Sequence, residues 1–296
     1  MASLKDIRIR TESTKNTQQI TKAMKLVSAA KLRKAQHQIT NMRPYAHALL
    51  RVIADIAVTN RVSHPLLMSP TTAPKKVLLV VLTSDRGLCG AFNSNIVKYS
   101  EAYYKDQKDK LETLDFIFIG RRGADHFTKK GVKAVETILK LDKDVSYELA
   151  SHVSEKLMKS FLDGQYDEIR LVYNEFKSAI SQHVVAETLL PIDTSKNTFS
   201  DTDSGAGKSF SVDMIYEPDP SQIIDQLLVK AFSLQVYRCM CESVASEHGA
   251  RMSAMESASN NAKEMIAKLT LTYNKLRQEK ITTELTEIVS GAEALK

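Results

Sequence analysis

The stretch from Gly249 to Leu269, "GARMSAMESASNNAKEMIAKL", is dense in helix-forming Ala, Met, Lys and Glu, yet its inward-spaced side chains are small. Such a face is too thin to cover a hydrophobic core, and this helix does not stop at either end of the stretch. Upstream, Pro220 suits a first helical position, Asp219 an N-cap, and Gln222 the third position of a capping box. No proline follows Pro220, and Gly249 is the sole glycine before Gly291. A helix of about 75 residues would be roughly 110 Å long at 1.5 Å per residue, longer than a compact domain of this size can hold. It needs a partner along its length.

The amino-terminal segment supplies one. Ile20, Met24 and Val27, then Leu32, Ala35, Ile39 and Met42, then Leu49, Val52, Ile53 and Ile56 follow helical spacing. Ser3 and Asp6 are placed to cap this helix, and Pro44 predicts a bend rather than an end. "MKLVSAAKLRKA" here and "ARMSAMESASNNA" in the later helix are both rich in Ala and Ser, so two backbones can approach closely as a slender antiparallel pair. If the later helix outlasts the earlier by about 20 residues, some 30 Å of it stands without a partner from its own chain. Leu285, Ile288, Val289, Ala292 and Leu295 then imply a socket in another protein.

Between the helices the pattern changes. "KVLLVVLT" (76–83) and "LDFIFIG" (114–120) read as buried strands, and further strands are expected at 132–138, 168–174, 183–190 and 210–216. Helices at 93–110, 121–130 and 147–163 alternate with them, which predicts an α/β layer domain. "SHPLLMSPTTAPKK" (63–76) reads as a linker, and "DTSKNTFSDTDSGAGKS" (193–209) as a polar loop. The expected fold class is α/β: a long antiparallel coiled coil of N- and C-terminal helices plus a central Rossmann-like domain. The boundaries are 1–57, 75–217 and 218–296.

Charge is placed unevenly. The whole chain carries +6, but residues 1–57 hold 11 basic against 3 acidic residues, a balance of +8. A localised positive face suits acidic loops of a protein, a lipid surface or nucleic acid. The longest apolar run, Val77 to Leu82, is far short of the roughly 20 residues that span a bilayer, and Met1 to Arg10 lacks a signal-peptide core. A chain that is neither exported nor membrane-spanning is expected. Cys89, Cys239 and Cys241 form no CxxC; they are expected reduced, the last two pointing to nearly opposite sides of one helix.

Three signals point to chemistry and fall short of it. "GAGKS" (205–209) ends like a phosphate-binding loop, but Thr202 stands where the first glycine belongs, and the flanking strand and helix are absent. The seven histidines show neither HExxH nor a cysteine pairing that would hold a metal. "TSDRGLCGAFN" (83–93) has the look of a reactive-cysteine turn, although a tight turn with Gly87 and Gly90 explains the same residues. No cofactor is expected.

Five segments resemble one family. "ITKAMKLVSAAKLRKAQ" (20–36), "TSDRGLCGAFN" (83–93), "YEPDP" (216–220), "QVYRCMCESVASEHGARMSAMESASNNA" (235–262) and "LTYNKLRQEKITTELTEIVSGAEAL" (271–295) look like the gamma subunits of F-type ATP synthases. The resemblance implies a non-catalytic central shaft, one copy per complex, turning inside a ring of alpha and beta subunits. Its foot would stand on the membrane c-ring with epsilon, peripherally at the cytoplasmic face of a bacterial membrane. It further implies contact with beta through Met24, Cys89, Arg251, Arg277 and Gln278, a collar seat for Leu285, Ile288, Val289 and Leu295, and a foot at Tyr216 and Glu217. Chloroplast-type relatives carry a regulatory cysteine pair that is missing here, so redox control is not expected. The competing readings are a basic coiled coil binding nucleic acid, which lacks stacking aromatics in residues 1–40, and a small NTPase using Lys208.

Overall fold

A computed structural model describes residues 3–60, 65–67, 74–139, 145–178, 181–192 and 220–294. They fall into two compact units, one of Met1–Ala29 with Arg251–Lys296 and one of Ala30–Ala250. Helices α1 (Leu4–Asn60) and α5 (Pro220–Ala294) contribute to both, so these units do not coincide with the three sequence segments. Ser3 caps α1 as its type predicts: its hydroxyl oxygen accepts the Lys5 N–H at 3.2 Å, and its own N–H donates to Asp6 at 3.2 Å. The expected bend at Pro44 does not end α1, which is helical on both sides of it. Thr40 and Pro44 are both exposed, so water can reach the carbonyl that proline leaves without a donor.

The larger unit is built on a five-stranded sheet in the order β3-β2-β1-β4-β5. β1 (Lys76–Leu82) lies at its centre, parallel to β2 (Thr113–Ile119) and β4 (Glu168–Phe176); β3 (Glu136–Ile138) is parallel to β2, and β5 (Gln182–Leu190) runs antiparallel to β4. A strand covered on both faces needs an unbroken apolar run, and Val77 to Leu82 are each at most 1% exposed. α2 (Phe92–Gln107), α3 (Arg121–Lys129) and α4 (Tyr147–Leu162) are the predicted helices. β3 is shorter than expected, spanning only the last three residues of the predicted strand, and pairs only with Ile117–Ile119. The predicted strand 210–216, the polar loop 194–208, the GAGKS segment and the Asp219 cap lie outside the described residues.

Rings dominate the core on one side of the sheet. Phe116 and Phe118 of β2 stack at 5.7 Å, and Phe127 of α3 sits 5.2 Å from each. Leu79, Val81, Cys89, Phe92 and Ile96 join this cluster, and so does Ala250 of α5. Gly120 permits the close approach of β2 to β1: at φ 107°, an added Cβ would stand 2.0 Å from the Thr83 carbonyl oxygen.

α5 changes character within the larger unit. From Ala231 to Ala250 all but three of its residues are buried, and the buried ones include Arg238, Glu247 and His248. Cys239 and Cys241 project to different sides of the helix, yet both are fully buried, because this stretch is enclosed all round. Burial pushes the Cys241 thiol up to about 12 and the Cys239 thiol well above its ordinary value, so both stay protonated at neutral pH.

Candidate partner interface

In the smaller unit the two helical ends lie antiparallel. Thr14 Oγ1 is 4.0 Å from Met265 Sδ, the Gln18 side-chain amide donates to the Ser259 carbonyl at 3.5 Å, and Lys25 Nζ meets Glu256 at 2.7 Å. As the residue number rises along α1 its partner's number falls along α5, as an antiparallel register requires. The buried seam consists of Ile7, Thr21 and Ser28 of α1 and of Met255, Ser259 and Ala262 of α5. Most of these side chains are small, so they serve backbone approach, as the sequence predicts. Arg251 is also buried, at 6% exposure.

Large apolar side chains point away from this seam. Ile20 (59% exposed), Leu26 (71%), Val27 (58%) and Leu271 (71%) all face solvent. Met24 is half-buried. Among the described side chains of α5, Leu276 is the last half-buried one, and every one from Arg277 to Ala292 is exposed. This segment includes Arg277 and Gln278, and also Ile281, Leu285, Ile288 and Val289 at 48% to 68% exposure. Leu295 lies outside the described residues, as do Tyr216 and Glu217.

The exposed segment is held helical from within. Lys275 with Glu279 and Lys280 with Glu284 are spaced four apart, at 3.8 and 3.6 Å, and such pairs add about 0.2–0.5 kcal/mol each. The hydroxyls of Thr282, Thr283 and Thr286 donate to the carbonyls four residues earlier. Their polarity is spent on their own backbone, so the segment is less polar than its composition suggests.

The turn after β1 forms a second surface. Asn93 clasps Ser84, accepting its N–H at 3.0 Å and donating to its hydroxyl at 2.7 Å, and donates to Cys89 Sγ at 3.1 Å. Thr83, Ser84 and Asp85 in turn accept the first N–H groups of α3, from Gly123, Arg122 and Arg121, at 2.9, 3.1 and 3.0 Å. These three donors are therefore not open to a phosphate. Cys89, expected to face a partner, is only 2% exposed and sits in the core cluster. The residue presented instead is Leu88, 65% exposed with φ 62°. Sequence reasoning missed it, because leucine gives no sign of a left-handed backbone.

Comparison with known proteins places these features. The family profile described as ATP synthase matches residues 3–295. An ATP synthase gamma chain of Bdellovibrio bacteriovorus is 71% identical over the full length of both chains, and one of Anaeromyxobacter sp. (strain Fw109-5) is 46% identical, again over both full lengths. Among solved structures, a chain of the central stalk and c-ring of Tetrahymena thermophila mitochondrial ATP synthase is 28% identical, with a TM-score of 0.59 over 81% of this chain and 99% of that one. A chain of the Euglena gracilis enzyme shares the fold at 23% identity, with a TM-score of 0.67 over 99% of this chain and 94% of that one. Family and fold together define a non-catalytic stalk subunit. The chain belongs to the ATP synthase gamma-chain family.

Proposed function

We propose that the chain is the central rotor shaft of an F-type ATP synthase and couples rotation of a membrane c-ring to conformational change in the catalytic beta subunits. The observation that carries the reading is the α5 end from Arg277 to Ala292, helical and exposed throughout with four large apolar side chains. Leu285, Ile288 and Val289, with Leu295, would seat in an apolar collar of the alpha and beta subunits. Arg277 and Gln278 would exchange charge-assisted hydrogen bonds with beta at each step, since exposed polar contacts can be remade where locked knobs cannot. Met24 would face acidic loops of beta from the basic arm. The turn contact assigned to Cys89 would be made by Leu88, and buried Arg251 would brace the helix pair.

A shaft without threefold symmetry offers each beta subunit a different surface, so turning it favours open and closed sites in succession. No bond in the shaft changes. Tyr216 and Glu217 would form the foot on the ring beside epsilon, and the complex would sit at the cytoplasmic face of a bacterial membrane. Among the described residues no helix is long and apolar enough to cross a membrane. Co-purification with untagged alpha and beta tests the reading. One copy of this chain per three of each is expected; failure to bind alpha and beta would overturn it.

A further inference from the structure

One cluster of buried polar and charged groups in the larger unit is arranged around a single carboxylate. Glu187 of β5 accepts from Arg238 Nη2, which lies 2.7 Å from each of its oxygens, from Gln235 at 2.8 Å, from the Tyr173 hydroxyl at 3.0 Å and from Cys239 Sγ at 3.6 Å. Arg238 Nη1 also reaches Glu242 at 3.1 Å. The Arg238 and Glu187 side chains are 8% and 12% exposed. Four of these groups, at 235, 238, 239 and 242, form one stripe of α5 at helical spacing, where an apolar seam would otherwise lie.

We propose that this hub is a torque anchor, with Arg238 and Glu187 as positioning residues that fix the rotational setting of α5 on the sheet. The hydrophobic effect is non-directional, so burial alone defines the rotational setting of a helix less sharply than hydrogen bonds do. Hydrogen bonds to a buried carboxylate are directional: one residue step around a helix is about 100°, enough to take the whole stripe away from Glu187. A buried ion pair adds little net stability compared with apolar residues of the same size, so the gain from this one is orientation. A shaft driven along one part of α5 and loaded through the α/β domain needs such a grip, and the inference rests on the rotor reading above.

The test uses complexes assembled from purified subunits, with a bead attached through Lys108→Cys at the exposed end of α2. The Glu187→Leu/Arg238→Met double variant replaces the hub with apolar groups. Unloaded ATP hydrolysis is expected to stay at the parental rate with a loss of stall torque on the bead, while the melting temperature falls because Glu242 stays buried without its cation. Undiminished torque would overturn the anchor. If the double variant does not assemble, Gln235→Met removes one bond; a smaller loss of torque supports the proposal, and none overturns it. A parental complex whose bead never turns would instead sink the rotor reading.

Discussion

Two stretches of α5 solve opposite problems with the same backbone. From Ala231 to Ala250 the helix is enclosed and carries Arg238, Glu242, Glu247 and His248 inward; from Arg277 to Ala292 it is bare and carries Ile281, Leu285, Ile288 and Val289 outward. The enclosed stretch thus holds charges that usually face water, and the bare one exposes large apolar side chains beside its charges. On the assignments proposed above, burial follows mechanical duty: directional bonds where the helix is held, apolar side chains where another protein covers it.

The largest expected effect comes from breaking the enclosed stretch. Arg238→Met alone leaves Glu187 and Glu242 buried without their cation and should cost about 3–5 kcal/mol, read by urea unfolding. Next, Ala262→Leu overfills the small-residue seam of the paired ends and should cost about 1–3 kcal/mol; an unchanged midpoint would mean the helices are not closely packed there.

Acid separates the two carboxylates of the hub. Burial raises Glu187, but the Arg238 charge and the bonds from Gln235, Arg238 and Tyr173 outweigh it, so its folded value lies below the ordinary one. Its stabilising contribution is present above the unfolded value near 4.5 and is lost as pH falls through the folded value. Burial wins at Glu242 and raises it, so its charge costs stability above the folded value, and that cost is relieved as pH falls toward the unfolded one. Glu242→Gln should therefore raise stability at pH 7 by about 1 kcal/mol or less and remove this relief from the pH profile of unfolding.

The smallest effects belong to the open surface. Lys25→Ala breaks an ion pair whose side chains are 37% and 53% exposed, worth about 0.2–1 kcal/mol. Ile288→Ser should change the stability of the isolated chain by less than about 0.5 kcal/mol, while weakening its assembly with alpha and beta in a pull-down. Equal assembly would mean that this side chain has no seat.

The helices, the central strand and the unpartnered α5 end were legible because each depends on local spacing: 3.6 residues per turn, a continuous apolar run, small residues at every third or fourth position. The hub was not. Gln235, Arg238, Cys239 and Glu242 read as an ordinary helical stretch, and the partner that the first three share, Glu187, lies some fifty residues earlier on a strand. Nor could sequence distinguish Cys89 from Leu88, adjacent in one turn, as the buried and the presented residue.

By itself the sequence determined the element types and the unpartnered apolar spacing near the end of α5, which follow from periodicity and composition, and the family, which follows from the resemblance of five particular segments. Only the tertiary structure decided which charges are enclosed and which neighbour faces solvent. Enclosure depends on every element packed around a side chain, and those elements come from distant parts of the chain.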